Sequence, residues 1–542
     1  MPSNLFPFLL NKIKQKYVMH YNKKVSTKIE TVTNHQGGTG FKLDPKMELI
    51  SILSTGFSNQ YYEKLTDREV RFKELIVNLA KKDPEFVAKA LVYTRSVMGQ
   101  RSVTHFGAVA LAPLLSGRSF ARKFFTKRDR KQNKGGIVYR LDDLLELVAC
   151  YKHFNPGKSL PNAMKKGFRE ALESSDAYEL AKYQGKGKQI SLVDVVNLVH
   201  PVPKQELQET FKQLMTGKLK QFNTVEDKNT QAGQEVAKKV SSGQITQEEG
   251  VKELQQAKES NYIELIKTRK IGYLALLRNL RNILETSGNT ELIKEACKLL
   301  TDQKLIKQSL VFPHQIDLAL EVLIQEVGSS KANSFLKALN TAYELAIPNL
   351  TELFSYGKTA VVFDTSASMY GMGSGVKING KAIGKNCIDK AALIGATLAK
   401  GIGADLYQFA SACQVIKYNP GDSVNTIKNI GLNQNGVVGH GTSFESIFTT
   451  LKKSGKYERI FIISDLQGGD SITKNSSFQD YKKSFGEPTI YTVDVAGYGT
   501  TMFKPGSKLV QLFGYSADIY EMVKRVELNL GNVLKEIEKI EI

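Results

Sequence analysis

The sequence predicts a multidomain protein, with an all-α domain of stacked helix pairs over residues 1–348 and a doubly wound α/β domain over residues 349–542. Two patterns predict this division. Apolar residues recur three or four positions apart from about 46 to 345, whereas after Pro348 short β-branched runs alternate with helical stretches. A chain of 542 residues also exceeds what one ordinary core accommodates. We therefore expect two cores built from different kinds of element.

The first domain is predicted to be helical almost throughout, after a polar, irregular start that ends in the turn-rich stretch NHQGGTGFKLDP. The segments with helical spacing include MELISILSTGF, REVRFKELIVNLAKK, PEFVAKALVYTRSVM, LDDLLELVACYKHF and SLVDVVNLVHP. Loops containing Gly, Pro or Asn separate them. Helices of this length joined by short loops predict a stacked array of helical pairs. No sequence period is evident, so this prediction depends on the number of helices and not on self-similarity.

Residues 224–260 differ from the rest of the helical region. They are rich in Gln, Lys, Glu and Ser and poor in large apolar residues. Such a composition buries little apolar surface. The segment is therefore predicted to be a polar insertion, either a solvated helical excursion or a mobile segment.

The second domain is predicted from short runs rich in β-branched and aromatic residues. These runs are TAVVF (359–363), DLYQF (405–409), RIFII (459–463) and TIYTVDV (489–495). A helix is predicted between the first two runs, at 381–402, and an amphipathic helix at 517–540 closes the chain. Strands that alternate with helices favour a mostly parallel sheet covered on both faces.

Charge is the strongest global signal in the composition. There are 75 Lys and Arg residues against 54 Asp and Glu, which gives a net charge of +21. A polyanion is the commonest partner for so basic a protein, and an anionic membrane is the competing explanation. The sequence contains neither an apolar run of transmembrane length nor a secretory signal, so no membrane partner is predicted. Four widely separated cysteines (Cys150, Cys297, Cys387 and Cys413) predict free thiols in a reducing, cytoplasmic setting.

The sharpest local motif is VVFDTSASM, in which Asp364 follows an apolar strand and Ser366 and Ser368 stand at alternate positions. Sites in doubly wound sheets form at the carboxyl ends of strands. Two later pieces contribute similar groups, since Thr442 lies in the Gly-rich loop GHGTS and Asp465 ends the strand FIIS. Carboxylates and hydroxyls are hard oxygen donors, which suit Mg²⁺, or alternatively Mn²⁺, and not Zn²⁺ or Cu²⁺. The sequence therefore predicts a divalent cation at these five residues.

Basic residues concentrate in the helical region. Residues 116–140 contain nine Lys and Arg residues and one acid, with aromatic residues between them. Such clusters neutralise phosphates and release counterions, which predicts an RNA interface. The predicted contacts are Arg122, Lys123, Lys127, Arg128 and Arg130 in the first cluster, Lys165 and Arg169 in the second, and Lys182, Lys186 and Lys188 in the third.

The metal motif resembles the metal-ion-dependent adhesion site of von Willebrand factor A domains. Asp364, Ser366, Ser368, Thr442 and Asp465 occupy the matching positions. The resemblance implies that two or three of these side chains bind the ion directly and the rest through water. It also implies an open coordination position for an outside oxygen, usually a partner's carboxylate. His440 stands where that family often has Gly, and it is interpreted as a surface residue of the loop.

The helical region resembles the TROVE region of Ro ribonucleoproteins. ELAKYQGKGKQISLVDVVNLVHPVP carries this resemblance, together with YLALLRNLRNI (273–283) and GGTGFKLDP near the N-terminus. The resemblance implies a monomeric ring of HEAT-like helical repeats closed by the A-type domain. The length of 224–260 and one residue inserted between Lys186 and His200 depart from the animal pattern, as expected of a distant bacterial or phage-like member.

The same resemblance implies which partners the chain has. Ro proteins bind small noncoding Y RNAs on the outer surface of the ring and single-stranded ends of misfolded RNA through its hole. Lys182, Lys186 and His200 match the positions that contact Y RNA. In bacterial members the family implies a partner ribonuclease such as polynucleotide phosphorylase, and hence a role in noncoding-RNA quality control.

Each motif also has a purely structural alternative. Asp364 and its serines could cap the next helix and satisfy turn amides. His200 could satisfy carbonyls at the end of its helix, and a single basic cluster could be a solvated face. Phe124 and Phe125 are predicted to be core residues and not a base-stacking platform.

Two other function classes remain open at the level of sequence. A protein-adhesion module would bind a carboxylate-bearing partner, with loss of binding in EDTA and little salt dependence. A metal-dependent nuclease would need several clustered carboxylates, whereas this motif offers two and no general base. We therefore predict an RNA-binding protein that is not an enzyme.

Overall fold

A computed structural model describes residues 30–57, 61–129, 131–185, 187–219, 225–286, 290–309, 311, 313–346, 357–371, 376–378, 381–383, 386–470, 472, 476–506, 508–515, 518–528 and 532–542. By their contacts these residues form two units. The sheet unit consists of the described residues of 30–79, 349–420 and 427–539. The helical unit consists of those of 80–348, 421–426 and 540–542.

The regular elements form a mostly helical region followed by an α/β region, and four short strands interrupt the region that was predicted to be all-α. The strands are β1 Thr31–Thr33, β2 Thr39–Lys42, β3 Arg128–Asp129, β4 Lys134–Gly135, β5 Thr359–Asp364, β6 Val376–Ile378, β7 Lys381–Ile383, β8 Asp405–Phe409, β9 Cys413–Ile416, β10 Arg459–Ser464, β11 Thr489–Asp494, β12 Thr500–Thr501 and β13 Leu509–Phe513. The helices are α1 Pro45–Thr55, α2 Leu65–Lys82, α3 Pro84–Ser96, α4 Ser102–Leu111, α5 Ala121–Phe124, α6 Asp142–Phe154, α7 Asn162–Glu173, α8 Ala177–Lys182, α9 Leu192–Val199, α10 Gln208–Met215, α11 Val225–Ser241, α12 Gln247–Lys267, α13 Tyr273–Thr286, α14 Thr290–Leu300, α15 Gln303–Ser309, α16 Pro313–Glu326, α17 Ser329–Ala346, α18 Cys387–Ile402, α19 Val424–Leu432, α20 Phe444–Ser454, α21 Ser477–Phe485, α22 Asp518–Glu527 and α23 Val533–Glu538.

The main sheet of the sheet unit has six strands in the order β13-β11-β10-β5-β8-β9. Neighbouring strands run parallel except for β9, which is antiparallel to β8 at one edge. The four strands predicted from the sequence are the four inner ones. Inner strands of a parallel sheet are covered on both faces and read as continuous apolar runs, which is why they were recognisable.

Helices cover both faces of this sheet. On one face Ala360 and Val362 of β5 share a core with Phe444 and Phe448 of α20. On the other face Phe363 lies against α18, where a Cβ added to Gly395 would be 3.4 Å from its ring. Alternate residues of one strand therefore enter two different layers, as expected of a sheet buried on both sides.

The N-terminal segment belongs to the sheet unit. Strands β1 and β2 form a hairpin, and β2 pairs with β12, which lies between β11 and β13 in the chain. Farther along, the buried Arg68 of α2 donates to the carbonyls of Gly56 at 3.0 Å and Gly497 at 3.3 Å. The predicted division had placed residues 30–79 in the helical domain. Helical periodicity identifies α1 and α2 as helices but does not reveal which core they pack against. The predicted boundary itself, between 348 and 349, lies outside the described residues.

The helical unit contains a buried ionic network that the sequence analysis did not anticipate. Asp143, in the first turn of α6, accepts from Arg95 at 3.0 and 3.1 Å and from Arg101 at 3.1 Å. His105 lies 3.3 Å from the same carboxylate and 3.1 Å from Glu146. Burial alone would raise the pKa of Asp143, but the hydrogen bond from His105 and the charge of Arg95 outweigh it and hold the pKa well below its usual range. The network ties α3, α4 and α6 together.

Of the two alternatives predicted for the polar insertion, the structure shows the helical one. Helices α11 and α12 pack against each other. Ion pairs of Lys228 with Glu264 and of Lys239 with Glu253 show that the two helices run antiparallel. Their outward residues are charged and solvated, which explains the composition.

Two predicted helices have different bounds in the structure. The helix predicted over 381–402 begins at Cys387, because Asn386 and Asp389 form a capping box and residues 381–383 pair with β6. The helix predicted over 517–540 is divided into α22 and α23, and Asn532 caps the second. No helix among the described residues has the length and apolar character that crossing a bilayer requires. The four cysteines are free thiols, as predicted.

Candidate metal centre and nucleic-acid interface

The five predicted metal ligands lie in the sheet unit. Asp364 ends β5 and Asp465 directly follows β10, and these strands are parallel neighbours. Their carboxyl ends therefore meet at one edge of the sheet. All five side chains are buried: Asp364 and Ser366 at 0% exposure, Asp465 at 1%, Ser368 at 4% and Thr442 at 6%.

Short hydrogen bonds fix the Asp364 carboxylate. One oxygen accepts the amide of Ser366 at 2.8 Å, and the other accepts the hydroxyl of Ser464 at 2.6 Å. The hydroxyls of Ser366 and Ser368 lie 3.3 Å apart, at the start of a 3₁₀ turn. The loop thus presents one carboxylate and two hydroxyls to the same side.

The second carboxylate is incompletely satisfied. Asp465 Oδ1 accepts the amide of Gln467 at 3.1 Å, while Oδ2 is buried with no hydrogen-bond partner among the described residues. The next residue, Leu466, has a left-handed backbone with φ of 57°. Such strain in a non-glycine residue persists only when its surroundings hold it, and it is frequent next to functional sites.

Both carboxyl groups have raised pKa values. Burial raises the pKa of Asp364 to about 6, against the hydrogen bonds from Ser464 and Ser366. Burial and then the charge of Asp364 raise the pKa of Asp465 well above its usual range. Two buried carboxyl groups that repel each other, with an orphaned oxygen and flanking hydroxyls, fit a hard divalent cation by charge and by donor type.

Thr442 reaches the site from the Gly-rich loop. The amide of Ala367 donates to the carbonyl of His440 at 2.9 Å, which holds this loop beside the serines. His440 itself is exposed, as predicted for a residue on the loop surface. Thr442 Oγ1 accepts a hydrogen bond from the side-chain amide of Gln36 at 2.8 Å.

Sequence reasoning missed three residues of this site: Gln36, Tyr62 and Ser464. Gln36 was visible only as part of a turn, and it is separated from Thr442 by 406 positions. Tyr62 stood in no motif. Ser464 had a usable signal, because it is a hydroxyl directly before Asp465 at the end of a strand.

The predicted RNA contacts gather on neighbouring elements of the helical unit. Helix α7 packs against both α5 and α9. The exposed members of the predicted set are Arg122, Lys123, Arg169, Lys182, Lys188 and His200, with Lys165 half-buried. Lys186 and Arg130 lie outside the described residues.

His200 is held in an unusual backbone conformation. It ends α9 in the left-handed region, with φ of 49°, and its amide donates to the carbonyl of Val196. Arg169 of α7 donates to the carbonyl of Val199 at 2.8 Å, so part of its charge serves the end of α9. The side chain of His200 nevertheless points to solvent. A C-capping role for its backbone therefore coexists with an accessible imidazole.

Lys182 stands among aromatic rings at the end of α8. Its ammonium lies 5.3 Å from the ring centre of Tyr178 and 5.5 Å from that of Tyr183. Tyr178 is 45% exposed. The group combines a cation with an accessible aromatic face, the two features that bind phosphate and base in single-stranded RNA.

One residue of the first basic cluster, Arg128, departs from the prediction. Arg128 is 3% exposed, and its guanidinium donates to the carbonyls of Gly135 at 2.7 Å and Asn133 at 2.6 Å. It is therefore a structural residue of the β3–β4 turn and not an accessible phosphate contact. Lys127 and Arg122 form ion pairs with Glu179 and Glu170, which reduce their free charge. Phe124 and Phe125 are fully buried, as predicted.

Comparisons with known proteins agree with the resemblance drawn from the sequence. Residues 42–263 match the family model of the TROVE domain. The structure is similar to the crystal structure of the Deinococcus radiodurans RO (RSR) protein, with a TM-score of 0.58 and 16% identity, over 89% of this chain and 100% of that one. No curated protein sequence gave a match. Residues 42–263 thus match the TROVE domain, and the described fold is similar to that of the Deinococcus protein.

Proposed function

We propose that this protein binds RNA through the exposed basic surface formed by α5, α7, α8 and the end of α9, and acts as the protein of a ribonucleoprotein. The match of residues 42–263 to the TROVE domain carries this proposal, since it supports an RNA-binding function. The exposed cations on these packed elements supply the charge that phosphates require. The net charge of +21 supports it further.

The finer proposal is that the RNA is a small noncoding, Y-like RNA. Lys182 and the exposed His200 would contact its backbone, and Tyr178 would stack on an unpaired base. Single-stranded ends of misfolded RNA would bind in the hole of a monomeric HEAT-like ring. A ribonuclease such as polynucleotide phosphorylase would then degrade them. The protein itself would not be an enzyme, and it would act in the cytoplasm.

The sheet unit is proposed to be a von Willebrand factor A-type domain that binds Mg²⁺, or alternatively Mn²⁺. The fit of the donor set supports this: two buried carboxylates, an oxygen of Asp465 without a partner among the described residues, and three hydroxyls. The ion would supply positive charge between the two strand ends. Asp364, Ser366, Ser368, Thr442 and Asp465 would hold it directly or through water.

The experiment that tests RNA binding is filter binding of the purified protein to a structured RNA with a single-stranded 3′ tail. Binding is measured across salt concentrations, with Mg²⁺ and with EDTA. We expect tight binding that falls steeply with salt, depends on the tail and ignores EDTA. Binding no tighter than that of an unrelated protein of equal charge would refute the proposal.

The competing function is a protein-adhesion module that binds a carboxylate-bearing partner at the metal. The same experiment separates the two functions through Asp364→Ala. This variant should lose Mg²⁺ and keep its RNA affinity, because the proposed sites belong to different units. Equal loss of both in a folded variant would contradict the two-site proposal.

A further inference from the structure

The turn at residues 34–38 is a rigid structure. The side-chain oxygen of Asn34 accepts the amides of Gln36 at 2.9 Å and Gly38 at 3.2 Å. Backbone bonds between Asn34 and Gly38 and between Gly37 and Asn34 close the turn. Gly37 has φ of 86°, a conformation that favours glycine. Gln36 is therefore presented in a fixed position.

This turn is seated on the loop that follows Asp465. The side-chain amide of Asn34 donates to the carbonyl of Gly468 at 2.8 Å, and the amide of His35 donates to the side chain of Gln467 at 3.0 Å. The fit is close, because a Cβ added to Gly38 would lie 2.2 Å from the Gly468 carbonyl oxygen. Pairing of β2 with β12 extends the attachment.

Tyr62 completes the cover from a second segment. Its ring stacks on His35 with centroids 5.2 Å apart and an interplanar angle of 4°. Its amide donates to the hydroxyl of Tyr498 at 3.3 Å. Burial raises the pKa of the Tyr62 hydroxyl, and the nearby side chains of Gln36 and Ser368 oppose this shift. Of the five proposed metal ligands, Thr442 is thus hydrogen-bonded by Gln36, and Ser368 lies near Tyr62.

We propose that Gln36 and Tyr62 close the metal site from within the chain, on the side that a partner's carboxylate would use. This inference rests on the proposed metal site. The near-complete burial of all five proposed ligands is what such a cover would produce. The site then acts as a structural metal site that fastens residues 34–38 and Tyr62 to the ends of β5 and β10, and not as an open adhesion site.

The charge balance of the site favours this arrangement. A divalent cation is neutralised by the carboxylates of Asp364 and Asp465. Gln36 and Tyr62 then contribute only neutral oxygen and nitrogen atoms. A third carboxylate from a partner would leave one net negative charge in a buried space, which is costly unless it is compensated.

The test uses Mn²⁺ with the full chain and compares wild type, Gln36→Ala, Tyr62→Ala and the control Val415→Ala, whose residue lies on the edge strand β9 and is 45% exposed. Mn²⁺ affinity is measured by calorimetry, and solvent access to the bound ion by water-proton relaxation. We expect wild type and the control to bind Mn²⁺ with low relaxivity. Either cover variant should raise the relaxivity by roughly twofold, as a further water reaches the octahedral ion. Only the cover variants should bind added succinate at the metal.

The outcomes separate this inference from the proposal on which it rests. Wild-type protein that binds no Mn²⁺ would overturn both the metal site and its cover. Wild-type protein that binds Mn²⁺ but has the relaxivity and succinate binding of the cover variants would overturn the cover and leave the metal site intact. If Tyr62→Ala does not fold, Gln36→Ala carries the test, because its side chain is half-buried in a turn.

Discussion

Replacing Asp465 with asparagine removes one charge from the buried carboxylate pair and changes the shape of the side chain little. A pKa of about 6 for Asp364, against an ordinary 3.8, corresponds to roughly 3 kcal/mol of destabilisation at pH 7 in the metal-free protein. Burial and the charge of Asp364 also raise the pKa of Asp465 well above its usual range, so the ionised form of Asp465 has an energetic penalty of its own. We therefore expect Asp465→Asn, which removes that penalty, to be more stable than wild type in EDTA.

The same change should abolish stabilisation by metal. Mg²⁺ at one hundred times its dissociation constant adds about 2.7 kcal/mol to a protein that binds it only when folded. Wild type should gain this stability, while Asp465→Asn should not respond. Mg²⁺ should thus reduce or reverse the stability advantage that Asp465→Asn has in EDTA.

The raised pKa of Asp364 also predicts how stability in EDTA changes with pH. Because the folded-state pKa of Asp364 is raised, the folded protein binds a proton more tightly than the unfolded chain does. The contribution of Asp364 to stability in EDTA is therefore greatest below pH 4. This contribution is lost as the pH rises from about 4 to 6. Thermal unfolding in EDTA from pH 4 to 6 measures this slope. A wild-type slope of zero, or a less stable Asp465→Asn in EDTA, would refute the reasoning.

Three further predictions concern the helical unit. Asp143→Ala leaves Arg95 and Arg101 without their buried partner, so we expect a loss of roughly 3–5 kcal/mol in denaturant unfolding; a change below about 1 kcal/mol would contradict a structural role. The double variant Lys182→Ala with Lys186→Ala should weaken RNA binding and flatten its salt dependence by up to about two units of slope. The control Lys238→Ala with Lys252→Ala removes equal charge from the insertion helices and should leave the slope nearly unchanged. His200→Gly should unfold at the same or a higher denaturant concentration, since glycine relieves the left-handed backbone, yet bind RNA more weakly; unchanged RNA affinity would assign His200 to the helix end alone.

The inner strands and most helices could be predicted because each has a local sequence pattern. Alternation of β-branched runs and helices identified β5, β8, β10 and β11, and hard donors at two strand ends identified candidate ligands that the structure brings to one edge of the sheet. The two-residue and edge strands carry little local signal, because a short strand such as β9 is half-exposed and has no continuous apolar run. The continuation predicted between α22 and α23 was wrong, since periodicity continues through Asn532 although its side chain caps a new helix.

Contacts between residues that are far apart in the sequence could not be predicted. Gln36 contacts Thr442 across 406 positions, and no local pattern encodes such a pair. Arg128 illustrates the opposite error, since it lies in a basic run but is buried against backbone carbonyls. Composition counts charges, whereas only the fold determines which of them reach solvent.

Each of the two candidate sites adjoins a non-glycine residue with a strained backbone. Among the described residues, four that are not glycine have positive φ, and two of them, Leu466 and His200, adjoin the metal ligands and the basic surface. Leu466 is buried, so packing can compensate its strain and hold Asp465 at the strand end. His200 has an exposed side chain, and packing therefore offers little compensation. The bond from Arg169 to Val199 and the cap at Val196 fix its backbone instead. Glycine could close this helix end at lower cost, and the exposed imidazole is therefore consistent with the RNA contact proposed for His200.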